Sequence, residues 1–153
     1  MQQIPGYDIM YFGDTAHTPY GTKSAETVIG YTINNIKFLL SRGAELIVIA
    51  CNTASSVATA PVLKQFSVPI FEVITPAVKL AVQASKNLNF GVIGTRATIT
   101  SGIYEAKIIE TQPQARVYSV ACPLLVPLVE EGWLDKAETA MIVKKYLQPL
   151  KTR

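Results

Sequence analysis

At 153 residues the chain has the length of one ordinary domain or a little more, enough to bury a sizeable core, so a peptide or a disulfide-stapled mini-protein is excluded. A hydrophobic content of 49% against 16% charged residues excludes disorder, and it points to a homo-oligomer or to apolar surface covered by a further segment. The 14 Lys and Arg and 11 Asp and Glu leave a net charge of +3 spread singly along the chain, which is not the footprint of a nucleic-acid binder.

Met1 to Gly6 offers neither a basic start nor an apolar signal core, so a cytoplasmic location is expected. Asp8 to Phe12 reads as a strand, followed by a polar loop from Gly13 to Lys23. Ser24 is a natural N-cap for a helix whose apolar positions Ile29, Ile33, Ile36 and Leu40 share one face, and Gly43 is its stop. Leu46 to Ala50 is apolar at every position, which predicts a parallel strand covered on both faces. A helix over about Ala54 to Phe66 follows it.

The unit then repeats. Ile70 to Ile74 predicts a strand, and Pro76 to Ser85 a helix with proline in its first turn. Phe90 to Ile93 and Arg116 to Val120 are further strands, separated by a helix over about Thr100 to Glu110. After Pro123 come helical stretches near Leu125 to Glu131 and Lys136 to Leu147. This alternation predicts an α/β fold of open parallel sheets flanked by helices. The linker-like stretch Ser85 to Asn89 suggests a boundary between residues 1–87 and residues 88–153. No apolar run approaches the ~20 residues of a membrane helix, so no membrane partner is expected.

In open α/β sheets ligands sit beyond the carboxyl ends of the strands. The residues there are Gly13-Asp14-Thr15, Cys51-Asn52-Thr53, Thr75, Gly94-Thr95 and Cys122, a rim of small, polar and thiol groups. Helix N-termini along such a rim suit a small ligand that carries carboxylates. Cys51 stands out, because it leaves a buried strand and precedes a helix start, where a thiolate is favoured. Space-filling is its bland alternative, and packing is the preferred reading of Cys122. Both cysteines read as thiols of a reducing compartment.

Asp14 is a candidate base, orienter or ligand-binding group, or else a turn residue. His17, the one histidine, is either a solvated loop residue or a partner of Cys51. Glu130 and Glu131 offer a carboxylate to a site or simply face solvent. One His and two distant Cys provide no metal cluster, so no metal is expected. Gly21-Thr22-Lys23-Ser24 lacks the spacing of a phosphate loop, and Gly91-Val92-Ile93-Gly94 lacks the dinucleotide pattern.

Four motifs in register carry a resemblance over nearly the whole chain: Tyr11 to Gly21 (YFGDTAHTPYG), Ala50 to Ser55 (ACNTAS), Gly91 to Thr95 (GVIGT), and Ala121-Cys122-Pro123-Leu124 with Glu130-Glu131-Gly132. In order and approximate spacing they resemble the glutamate racemases of the aspartate/glutamate racemase family. The resemblance implies two similar α/β domains, both incomplete here, with a site between them. It implies interconversion of L- and D-glutamate without a cofactor, supplying D-glutamate for peptidoglycan, with one cysteine on each face of the substrate.

Cys51 matches the first of these cysteines. Asp14 and Glu130 match acidic residues near the site, with Glu131 the alternative in the alignment. Pro19, Tyr20 and Gly21 match the loop that holds a substrate carboxylate. Asn52 and Thr53 match groups that bind the amino acid beside the thiol, and Thr95 and Thr98 match contacts from the second domain. The family's opening Asp-Ser-Gly motif and its Gly-Cys-Thr-His motif, which carries the second cysteine, do not occur in these residues. Cys122 matches a different family position. A non-catalytic module that binds a dicarboxylate or a protein, and a racemase of a related amino acid such as aspartate, are the alternative readings.

Overall fold

The computed structural model describes residues 6–151; most of the N-terminal stretch read for a targeting signal, and the outer ends of both expected domains, lie outside the described residues. The first long element is helix α1 (Ala25–Ser41). Ser24 caps it by accepting from the Thr27 N–H, and Gly43, at φ +91°, turns the chain away just after it, as the sequence predicts. Strand β1 (Ile47–Ile49) leads into α2 (Asn52–Gln65), and β2 (Ile70–Glu72) into α3 (Ile74–Ala84). Strand β3 (Asn89–Gly94) is followed by α4 (Arg96–Thr100) and α5 (Ile103–Thr111). The described chain closes with β4 (Arg116–Ala121), α6 (Leu125–Glu130) and α7 (Ala137–Lys151).

The strands form two parallel pairs, β1 with β2 and β3 with β4, so the α/β class and the parallel pairing follow the expectation. Two cores result. Val28, Ile36, Ile47, Ile49, Ala58 and Val62 fill the first, between α1, α2 and β1. Ile74, Val78, Phe90 and Ile108 fill the second, so α3 packs toward β3 and α5.

Three expectations are corrected. Asp8 to Phe12 forms no strand; it is irregular and exposed, with Tyr11 89% accessible, because no neighbouring strand takes up its backbone groups. Strand β1 is covered on one face only. Ile47 and Ile49 are buried, while Val48 (60% exposed) faces outward beside its register partner Phe71 (54% exposed). Helices pack on one side of this two-stranded sheet, and strand side chains alternate between its faces. Third, the helix expected over Thr100 to Glu110 starts later, as α5 at Ile103, because Gly102 at φ +65° separates it from an unexpected short helix, α4, that ends at Thr100.

Candidate active site

Helix α2 begins earlier than its apolar pattern suggests, at Asn52, which makes Cys51 itself the N-cap residue. The Cys51 backbone is extended and its carbonyl accepts from the Ser55 N–H at 2.8 Å. The Ser55 hydroxyl reaches back to the Ile49 carbonyl at 3.0 Å, pinning the helix start to the end of β1. The thiol takes no part in capping and is exposed.

The loop ahead of α1 builds a second cluster. Asp14 Oδ1 lies 2.7 Å from His17 Nδ1, and the Tyr20 hydroxyl donates to Asp14 Oδ2 at 2.5 Å. Asn35, on α1, donates to the Tyr20 oxygen at 3.1 Å, and the His17 ring stacks on Tyr31 with centroids 4.1 Å apart. Burial works against ionisation of Asp14, but the Tyr20 hydroxyl, His17 and Asn35 outweigh it and hold the carboxyl below its ordinary value. Burial first, and then the bond to Asp14, push Tyr20 far above its usual range, while the bond from Asn35 works the other way. His17 is engaged by Asp14 and Tyr31, and no hydrogen bond joins it to Cys51. The Asp14 loop also turns on itself, with the His17 N–H on the Asp14 carbonyl, as the turn reading expects.

Pro19 is the exposed N-cap of a short 3-10 turn, Tyr20–Thr22, and follows a cis peptide bond. Gly21 within that turn is buried against Thr95. Thr95 caps α4, its hydroxyl accepting from the Thr98 N–H at 3.3 Å. The Thr53, Thr95 and Thr98 hydroxyls meet, with Thr53 to Thr95 at 3.0 Å, Thr95 to Thr98 at 3.1 Å and Thr53 to Thr98 at 3.5 Å. Loops from both halves of the chain therefore converge on the residues just past Cys51.

Glu130 is not drawn into this assembly. It lies exposed at the end of α6, as does Glu131 beside it, and no hydrogen bond of the cluster reaches either carboxylate. Cys122 packs as expected. It is 2% exposed, its thiol donates to the Val120 carbonyl at 3.5 Å, and burial raises its pKa despite a backbone contact to Gly94 that lowers it.

Several residues here carry no local signal in the sequence. Tyr104 donates to Asn52 Oδ1 at 2.5 Å, and Lys107 donates to Thr75 Oγ1 at 2.7 Å. Glu72 caps α3 by accepting from the N–H groups of Ile74 and Thr75 and from the Thr75 hydroxyl. Burial opposes the Glu72 charge, yet these donors and Lys107 hold its pKa below the ordinary value. Tyr104 and Lys107 sit one turn apart on α5, and that spacing is the only trace in the sequence of a shared face. Among the described residues, no group of three or more His, Cys, Asp or Glu is placed to hold a metal ion.

Fold and rim together define an α/β protein that gathers a thiol, hydroxyls and an ionised carboxylate where parallel strands end. The family model for Asp/Glu/Hydantoin racemase matches residues 3–152, and the chain belongs to that family. It is 47% identical over 149 residues to the glutamate racemase of Persephonella marina, covering 97% of this chain and 57% of the relative. It is 46% identical over 150 residues to that of Aquifex aeolicus, covering 98% and 58%. Among solved structures, glutamate racemase isoform RacE1 from Bacillus anthracis superposes with a TM-score of 0.93 at 36% identity, over 99% of this chain and 57% of that one. The Francisella tularensis glutamate racemase in complex with D-glutamate superposes with a TM-score of 0.89 at 38% identity, over 97% and 56%. The chain thus spans a little over half the length of the relatives it matches.

Proposed function

We propose that the chain is part of a glutamate racemase that interconverts L- and D-glutamate by cofactor-independent proton transfer between thiols, and so supplies D-glutamate for peptidoglycan in the cytoplasm. The observation that carries this reading is Cys51: an exposed thiol at the start of α2, beside Asn52 and Thr53, in a chain whose close relatives are glutamate racemases. We assign residues 1–87 and 88–153 to two α/β domains with the substrate between them. The convergence of Gly21 and Thr53 on Thr95 and Thr98 supports a site between the two spans, although α3 of the first span packs into the core of the second.

Removing an α-proton without an electron sink demands close positioning, exclusion of water and stabilisation of developing negative charge. In this reading the Cys51 thiolate takes the proton from the face of D-glutamate. A thiol serves as base in one direction and acid in the other. The Asn52 amide and the Thr53, Thr95 and Thr98 hydroxyls bind one end of the amino acid, and the Pro19-Tyr20-Gly21 turn binds a carboxylate. Asp14 is the acidic residue we assign to the site, through Tyr20 and His17, whereas Glu130 lies exposed at the end of α6, outside the cluster. Cys122 is too buried to act as the opposite thiol. The second reading is a module in which these residues bind a dicarboxylate without inverting it, and a racemase of a related amino acid such as aspartate is a variant of the first.

The test is α-proton exchange of D- and L-glutamate in deuterated water, with Cys51→Ala as control. Exchange that depends on Cys51 is expected, at least for D-glutamate. Absence of exchange from a folded chain that still binds glutamate would establish the binding-module reading instead. Exchange undiminished in Cys51→Ala would remove Cys51 from the mechanism.

A further inference from the structure

The Asn52 side chain is held from outside its own half of the sequence. Tyr104, on α5, donates its hydroxyl to Asn52 Oδ1 at 2.5 Å across a separation of 52 positions. An amide has an acceptor end and a donor end. With the oxygen occupied, the end that remains is Nδ2, which offers two N–H groups. Such an end favours a carboxylate and offers nothing to an ammonium group.

Two further observations make this contact a fixed one. Burial foremost, and the negative charge of Glu72 second, hold the Tyr104 hydroxyl above its ordinary value of 10.0, so it keeps its proton and remains a donor at neutral pH. Lys107, one turn further along α5, donates to Thr75 Oγ1 at 2.7 Å and lies 4.0 Å from Glu72. Helix α5 therefore grips the chain just past β1 through Tyr104 and just past β2 through Lys107. Its position relative to Asn52 is set at two points.

We propose that Tyr104 is a positioning residue whose hydroxyl orients the Asn52 amide so that Nδ2 is presented, as a donor, to a carboxylate of the amino acid bound beside Cys51. This rests on the glutamate reading of the site. Tyr104 itself does not touch the reacting atoms.

The experiment is a double-mutant cycle on D-glutamate affinity, measured by calorimetric titration of the chain, with circular dichroism and thermal melting as folding controls. Tyr104→Phe removes only the hydroxyl and is expected to weaken binding roughly three- to tenfold. Asn52→Ala is expected to weaken it at least as much, and the double variant no further than Asn52→Ala alone, because the hydroxyl acts through the amide. Unchanged affinity in Tyr104→Phe, or a loss that adds in full to that of Asn52→Ala, would overturn the proposal.

Asn52→Asp gives an independent arm should Tyr104→Phe fail to fold. It keeps an acceptor for Tyr104 but replaces the donor end with a second anionic oxygen, so a loss of roughly tenfold or more is expected. Affinity within about twofold of the parent in that variant would overturn the proposal. If the parent chain takes up no D-glutamate, the functional reading fails and this inference falls with it. That failure is seen before any substitution is made.

Discussion

Gly21 and Thr95 touch with no room for one more carbon: a Cβ built on Gly21 would lie 2.5 Å from both Cβ and Cγ2 of Thr95. Thr95 is the cap of α4 and a member of the hydroxyl cluster, so it has little freedom to retreat. Gly21→Ala is therefore expected to destabilise the chain by about 1–3 kcal/mol and to weaken D-glutamate binding by displacing Thr95. Urea unfolding and calorimetric titration of the same sample read the two effects. A variant as stable as the parent would show that the turn yields and the threonines do not.

The two thiols should separate cleanly by chemistry. Cys51 is exposed, whereas Cys122 is buried with a raised pKa. Under native conditions iodoacetamide should modify Cys51 and leave Cys122 slower by roughly two orders of magnitude, since the fold must open to expose it. Peptide mass spectrometry after timed quenching measures both rates. D-glutamate should protect Cys51, and protection of Cys122 instead would relocate the site.

Asp14 makes stability depend on acid. Its folded pKa lies below the ordinary 3.8, so the folded state binds this proton less readily than the unfolded chain does. Its contribution is complete above the ordinary value and is lost as pH falls through the lower, folded value. Asp14→Asn should consequently be less stable near neutrality and lose stability less steeply on acidification. Denaturation midpoints between about pH 5 and pH 2.5 for the two proteins test this. Parallel curves would mean that Tyr20 and His17 do not favour the charged form.

Glu72→Ala removes the carboxylate that accepts the first N–H groups of α3. A loss of about 1 kcal/mol is expected, the usual scale for removal of a helix cap. Because Lys107 then loses its ion partner at 4.0 Å, helix α5 should loosen as well. Faster amide exchange over Ile103–Thr111 would report it, and exchange that quickens only in α3 would confine Glu72 to capping.

Local signals were legible wherever a segment's own residues decide its structure. Ser24, the apolar face through Ile36 and Gly43 bracket α1 within a residue or two, and the strands β1 to β4 stand where apolar runs meet turn residues. Gly102 carries the signal of a break that moves the start of α5 to Ile103, whereas the short helix α4 ahead of it has no apolar period long enough to read. The start of α3 shifted from Pro76 to Ile74, since a carboxylate two residues upstream supplies the cap. Exposure of Val48 could not be read from an all-apolar run, as composition does not say how many faces a sheet has covered. In the site, Cys51, Asn52, Thr53, Thr95 and Thr98 were reachable through motif and position at strand ends. Tyr104 was not, because its contact spans 52 positions and leaves no local pattern.

The three hydroxyls of Thr53, Thr95 and Thr98 hydrogen-bond one another. Each is both donor and acceptor, and together they share protons around a small ring closed by bonds of 3.0, 3.1 and 3.5 Å. Each hydroxyl proton therefore has an acceptor within the ring. An arriving anion needs only a rotation about one C–O bond, beginning at the longest and weakest side of the ring, to receive a proton turned outward. A charged acceptor repays the breaking of that side better than a neutral one does.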